Sequence, residues 1–175
     1  MRASAIAVLA LLAQPAGAQW SGWDYQNDRP AEQFTERELE LPPYPLEDDL
    51  LAFESGAASA HRFYLDPKAL SVGTDGVVRY TLVVKAAGGA TNVTYEGIRC
   101  DLGQLKIYAS GRPDRTWMRA RDPQWTRIET KQFNVHHGVL FREYFCAGKS
   151  SKTPVARVEE VLERLRYPPR DKPRE

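Results

Sequence analysis

The sequence predicts an α+β fold: an antiparallel β-sheet of about five or six strands in meander order, with a C-terminal α-helix packed on one face. Three observations predict it. GVVRYTLVVKA alternates apolar and polar side chains with period two, the pattern of a strand with one buried face. The neighbouring apolar runs are joined by short glycine-containing turns, which favour antiparallel pairing. Near the C-terminus, VARVEEVLERLR carries an apolar stripe at helical spacing. A chain of 175 residues has room for one core of this kind plus extensions.

The chain begins MRASAIAVLALLAQPAGA. Arg2 supplies a positive start, Ala3 to Ala13 a short apolar run, Pro15 a break, and Ala16-Gly17-Ala18 a small-residue cleavage pattern. Residues 1–18 are therefore expected to be a Sec-type signal peptide cut after Ala18, giving a periplasmic or secreted product. The apolar run falls short of the roughly 20 residues a membrane-spanning helix needs, and no later stretch approaches that length without charges. No twin-arginine pair precedes it, and no cysteine follows the cleavage site to take a lipid. Losing Arg2 with the leader takes the formal net charge from +1 to zero. A neutral chain has no bulk attraction to nucleic acid or membrane surfaces.

Residues 19–40, with Trp20, Trp23 and Tyr25, read as a flexible lead-in to a single domain spanning 41–167. Pro42, Pro43 and Pro45 fix an extended path that wraps over the domain. HRFYLD starts the β region, and a turn-rich VGTDG follows it. In the next strand Val78, Tyr80, Leu82 and Val84 are expected to face the core, with Arg79, Thr81 and Lys85 on the other side. A Gly88-Gly89 turn leads to TNVTYEGIRC, where Gly97 suggests a bulge bringing Tyr95, Ile98 and Cys100 to one side. QLKIYASG is a third strand with Leu105, Ile107 and Ala109 in register.

A loop-rich stretch, 111–135, precedes GVLFREYFC, which reads as the last strand: Val139, Phe141, Glu143 and Phe145 on one face, Leu140, Tyr144 and Cys146 on the other. The terminal helix is expected to start with Thr153 as N-cap and Pro154 at the first position, and to bury Val155, Val158, Leu162 and Leu165. Glu160 is placed to pair with Arg164. Pro168-Pro169 ends the helix and 168–175 is expected to be a disordered tail. The sheet's second face needs cover from the lead-in, the 111–135 segment or a partner.

Cys100 and Cys146 are the only cysteines. In an oxidising compartment they are expected to form one disulfide, worth about 4 kcal/mol for this loop length on the chain-entropy account. They are too far apart for a C-x-x-C redox pair, and no suitably spaced histidines make them a zinc site.

FYLDPKALSVGTDGVVRYTLVVKAAGGATNVTYEGIRCDLGQLKIYASGRPD, followed by WMRARDPQW and LFREYFC, closely resembles the CNP-one-like (CNP1-like) family of exported proteobacterial proteins. The likeness runs from about Leu41 to Arg166, and the two cysteines fall where the family has them. It implies a protein of a Gram-negative envelope and brings no catalytic residues with it. A fainter likeness, in strand order and disulfide placement, is to surface-adhesin protein E type domains; it is architectural and carries no function.

No constellation of residues specifies a reaction, a metal or a cofactor. His136-His137 could titrate or ligate near neutral pH. Neighbours on a strand point oppositely, however, so they would not share a metal, and a structural pair at a strand edge is the simpler reading. Glu96 and Asp101 could act as paired carboxylates, but ion pairs with Arg99 or Arg79 explain them more simply. GKS at 148–150 lacks the glycine a phosphate-binding loop needs, since Glu143 stands there. Asn92-Val93-Thr94 is an incidental sequon, and no serine sits in a G-x-S-x-G elbow. Arg112, Arg115, Arg119, Arg121 and Arg127 with Trp117 and Trp125 form the mixture that binds anionic polymers by charge and stacking.

Three functions follow as expectations. The first is a non-enzymatic envelope protein offering a binding or structural surface, its partner an envelope protein or cell-wall polymer and not nucleic acid. The second is a small periplasmic hydrolase using His136 or His137 with Glu96 or Asp101, which requires an imidazole and a carboxylate in a concave pocket. The third is recognition of an anionic cell-wall polymer by the arginine- and tryptophan-rich segment 111–127.

Overall fold

The computed structural model describes residues 34–55, 59–128, 135–146, 152–155 and 157–167. The expected signal peptide, most of the lead-in, GKS and the C-terminal tail lie outside the described residues.

The sheet is built around β4 (Val77–Lys85), which pairs with β5 (Thr91–Arg99) over its whole length, Val77 opposite Arg99 and Lys85 opposite Thr91. Their hairpin turns through Gly89 at a φ of 87°, a backbone state open to glycine. β1 (Leu51–Phe53) and β2 (Arg62–Leu65) extend the sheet on one side, β6 (Gln104–Gly111) and β7 (Trp117–Arg119) on the other, giving the order β1-β2-β4-β5-β6-β7. Two-residue strands complete it: β3 (Ser71–Val72) pairs with β4 and β8 (Thr126–Arg127) with β6. Every pairing is antiparallel. The sheet thus has eight strands, where five or six are expected from sequence, because the extra ones are short.

GVLFREYFC is not a strand. It forms α1 (Val135–Val139) and a π-helical turn, Leu140–Phe145. His137, Leu140, Tyr144 and Phe145 are buried, and their spacing is helical. These side chains pack on Leu65, Val78, Tyr80, Leu82 and Ile98 to form the main core. The terminal helix, α2 (Val158–Arg166), starts later than the Thr153-Pro154 signal suggests: Arg157, in extended backbone, precedes it. It buries Val161 and Leu165 against β1 and the π-helical turn, so it flanks the sheet's edge strand instead of covering a face alone. Arg157, not Arg164, approaches Glu160, at 3.8 Å; Arg164 donates to the Glu143 carbonyl.

The Cys100–Cys146 disulfide joins the end of β5 to the end of the π-helical turn, with Cα atoms 5.4 Å apart. It fastens the helical cover to the sheet it covers.

β4 is buried on both faces, since Val77, Arg79, Thr81 and Val83 are as covered as Val78, Tyr80 and Leu82. The second face is closed by the extended strap of residues 35–45. Leu39 and Leu41 pack on Tyr95, Tyr108 and Ala109. Glu36 bonds Lys106 and Tyr108, the Arg37 backbone N–H donates to Asp75, and Trp117 Nε1 donates to the Pro42 carbonyl at 2.8 Å. The bulge lies across from Gly97's neighbour: Tyr95 pairs with Ala109 and Glu96 with Ile107, leaving Tyr108 as the extra residue on β6. Tyr95 and Ala109 therefore face the strap, while Ile98, Cys100 and Leu105 face the helices. On β5 plain alternation puts Tyr95 and Ile98 on opposite faces, and no bulge at Gly97 brings them together; on β6 alternation would put Ala109 with Leu105, and the extra residue is what separates them.

Candidate functional site

Where the strap leaves the sheet, it walls one side of a cleft of about 610 Å³. Val83 and Val93, directly opposite each other on β4 and β5, lie at its base with Leu50 and Pro45. Lys85, Arg112 and Arg115 bring three cations to it, and Glu47 is the one carboxylate among the lining residues. The wall depends on a missing side chain: a Cβ at Gly111 would lie 2.6 Å from the Tyr44 hydroxyl, so glycine alone lets the ring lie against the strand. Tyr44 also sits 5.2 Å from the Trp117 ring and donates to the Arg112 carbonyl at 3.4 Å. Burial pushes its hydroxyl pKa up.

Arg112 and Arg115 stand on the β6–β7 hairpin. Arg112 N–H donates to Thr116 O at 2.9 Å, and Asp114 accepts from the Thr116 backbone and hydroxyl. Arg115 holds a φ of 62°, the sole non-glycine residue with positive φ among those described. Lys85 pairs with Glu47 and lies over the Tyr64 ring.

The arginine- and tryptophan-rich segment does not form one surface. Arg112 and Arg115 join the cleft, whereas Arg119 lines a separate groove with Glu36, Lys106 and Tyr108. Arg121 is exposed in the bend after β7. Arg127 lies beside Leu102 and Phe141 near the disulfide end. Trp117 is half-buried under the strap, and Trp125 meets the Tyr108 ring edge-on with Arg99 and Lys106 over its face. Both tryptophans pack against the domain's own residues.

The histidine pair has a different place. His137 Nε2 lies 2.9 Å from Glu96 Oε2, and the same carboxylate accepts from Tyr80 and Thr94. Burial alone would raise the Glu96 pKa, but His137 and these donors hold it below the usual range. Asp101 is elsewhere, bonded to Arg99 at the surface. An imidazole and a carboxylate do meet, but His137 is 7% and Glu96 2% exposed, so this is a core network without access for a substrate. His136 stacks on Phe63 at 4.7 Å. Arg79 pairs with Asp75, not with Glu96. Among the described residues, no group of three or more potential metal ligands converges, and no helix is long and apolar enough to cross a membrane.

Sequence reasoning singled out Arg112 and Arg115 but not Tyr44, Glu47 or Lys85, which come from distant segments. One local signal was available: PDR at 113–115 puts arginine where a hairpin of this kind usually has glycine.

A family model, that of the CNP1-like family, matches residues 29–166, most of the chain, which therefore belongs to that family. Neither curated proteins nor solved structures gave a match.

Proposed function

We propose that this CNP1-like protein is a non-enzymatic, exported module of the cell envelope that binds an anionic ligand in the cleft beside the strap. The observation that carries this reading is the convergence of Lys85, Arg112 and Arg115 on an apolar base of Val83 and Val93. Guanidinium groups hold carboxylates and phosphates bidentately, and apolar surface at the base adds burial. The leader at residues 1–18 supports export to the periplasm or beyond, and so does a disulfide inside the core. The sealed His137–Glu96 pair supports a structural role for both residues, in keeping with a protein that binds and does not turn over its ligand.

The test is a binding assay of the full chain against an anionic cell-wall polymer at rising salt. Binding that weakens with salt and is lost in Arg112→Ser/Arg115→Ser, yet persists in Arg119→Ser/Arg121→Ser, is the expected result. Equal loss in both pairs, or insensitivity to salt, overturns the cleft as the site. Fractionation of cells expressing the chain tests export: an uncleaved cytoplasmic product counts against it.

A further inference from the structure

We infer that the cleft takes an amphiphilic acid, a compact apolar body with one anionic head group, and that Arg115 and Glu47 set its selectivity; this rests on the binding role proposed above. The base is apolar: Val83 and Val93 face each other across the β4–β5 pair, with Leu50 and Pro45 beside them. The cations stand at the rim, where Arg112 and Arg115 are exposed. An extended polyanion would need a track of positive charge leading away, but Arg119, Arg121 and Arg127 diverge to other parts of the surface. The cations suit one head group, and the base suits an apolar chain.

Arg115 supplies an independent observation. Its φ of 62° is a state that side chains disfavour and glycine adopts freely. The hairpin fixes it there: Arg115 N–H donates to Arg112 O at 3.0 Å, and Asp114 and Thr116 lock the following residue. The turn requires the positive φ but not an arginine to adopt it, and a strained residue kept where glycine would serve points to use of its side chain. No ion pair engages Arg112 or Arg115 among the described residues. Lys85 is instead held by Glu47, a carboxylate already seated on one of the cleft's three cations. Ligand binding then exchanges the Glu47 carboxylate on Lys85 for the ligand's anionic head, and adds two guanidinium contacts.

Octyl phosphate, kept below its micellar concentration, is titrated calorimetrically into the full chain, with inorganic phosphate and octanol as controls. Octyl phosphate should bind at least about tenfold more tightly than either control, because head and chain each contribute. Arg115→Gly should weaken binding about tenfold without lowering the melting temperature, since glycine relieves the φ. Glu47→Gln should tighten it about fivefold by removing the internal competitor. Equal affinity for octyl phosphate and inorganic phosphate, or unchanged binding in Arg115→Gly or in Glu47→Gln, overturns the inference. If an anionic polymer binds through Arg112 and Arg115 while octyl phosphate does not, this inference falls and the binding module stands; if neither binds, both fall. Vesicles containing phosphatidylglycerol separate two sources of the same chemistry: cosedimentation that Arg115→Gly abolishes assigns a membrane lipid, and octyl phosphate binding without cosedimentation a dissolved acid.

Discussion

His137 Nε2 sits 2.9 Å from Glu96 Oε2 inside the core, so the helical cover and β5 meet through a charge-bearing contact as well as through apolar packing. Breaking one side of such a contact leaves the other buried and underpaired, which costs about 3–5 kcal/mol. Accordingly, His137→Ala should lower the denaturant midpoint strongly with little change in slope. The double variant with Glu96→Gln should be less unstable than the two single losses summed. Additive losses in that cycle would mean the two residues act independently.

A second consequence is sensitivity to acid. Burial, reinforced by the neighbouring His137, lowers the His136 pKa from 6.5 to about 4. The unfolded chain therefore binds a proton that the folded chain refuses between those values. Stability from this source is complete above about pH 6.5 and is lost as the pH falls toward 4, by up to about 3 kcal/mol. Glu96, held below its ordinary value, contributes stability that is lost as the pH falls below the usual carboxylate range. Asp75 adds a further loss in acid: burial opposes its charge, but Arg79 and two backbone donors hold it at about 2. Thermal melts from pH 7 to 4 should show the loss, and His136→Phe, which keeps the stack on Phe63, should flatten it. A wild-type melting temperature that stays constant over this range would refute the assignment.

The disulfide yields a third prediction. Cys100 is 2% and Cys146 0% exposed. Neither sulfur should be reached by reductant or labelling reagent until the chain unfolds. Reduction under denaturing conditions, followed by refolding, should give a domain about 2–4 kcal/mol less stable. Labelling of the native protein in the presence of reductant but without denaturant would contradict the burial.

How much of this was legible in the sequence varies with the kind of signal. The β4–β5 hairpin was legible because Val78, Tyr80, Leu82 and Val84 keep strict alternation and Gly88-Gly89 marks the turn. The cysteine pairing followed from the count of two and from the compartment that the first eighteen residues lead one to expect. The α1 and π-helical segment was not, because Leu140, Phe141, Tyr144 and Phe145 satisfy a two-residue and a helical period alike over so short a run. The cleft was only half legible: Arg112 and Arg115 lie in a conspicuous basic stretch, while Tyr44, Glu47 and Lys85 reach them only through the path of the strap. Nor does sequence reveal that Tyr108 is a bulge, since the shift depends on pairing with β5.

The strap's hold on the sheet gives the last prediction, at Gly111. An alanine there would bring its Cβ within 2.6 Å of the Tyr44 hydroxyl and 2.9 Å of Val93 Cβ. Val93 Cβ belongs to the paired strand and yields little, so Tyr44 must swing away, giving up its contacts with the Trp117 ring and the Arg112 carbonyl. The cleft then loses its wall, while the main core beyond the sheet is untouched. Gly111→Ala should cost about 1–3 kcal/mol, the range of overpacking. It should also expose residues 35–45 to limited proteolysis well before the domain unfolds. Cleavage in step with global unfolding would mean that the strap is held mainly by Glu36 and the leucines, and that Tyr44 is not its anchor at this end.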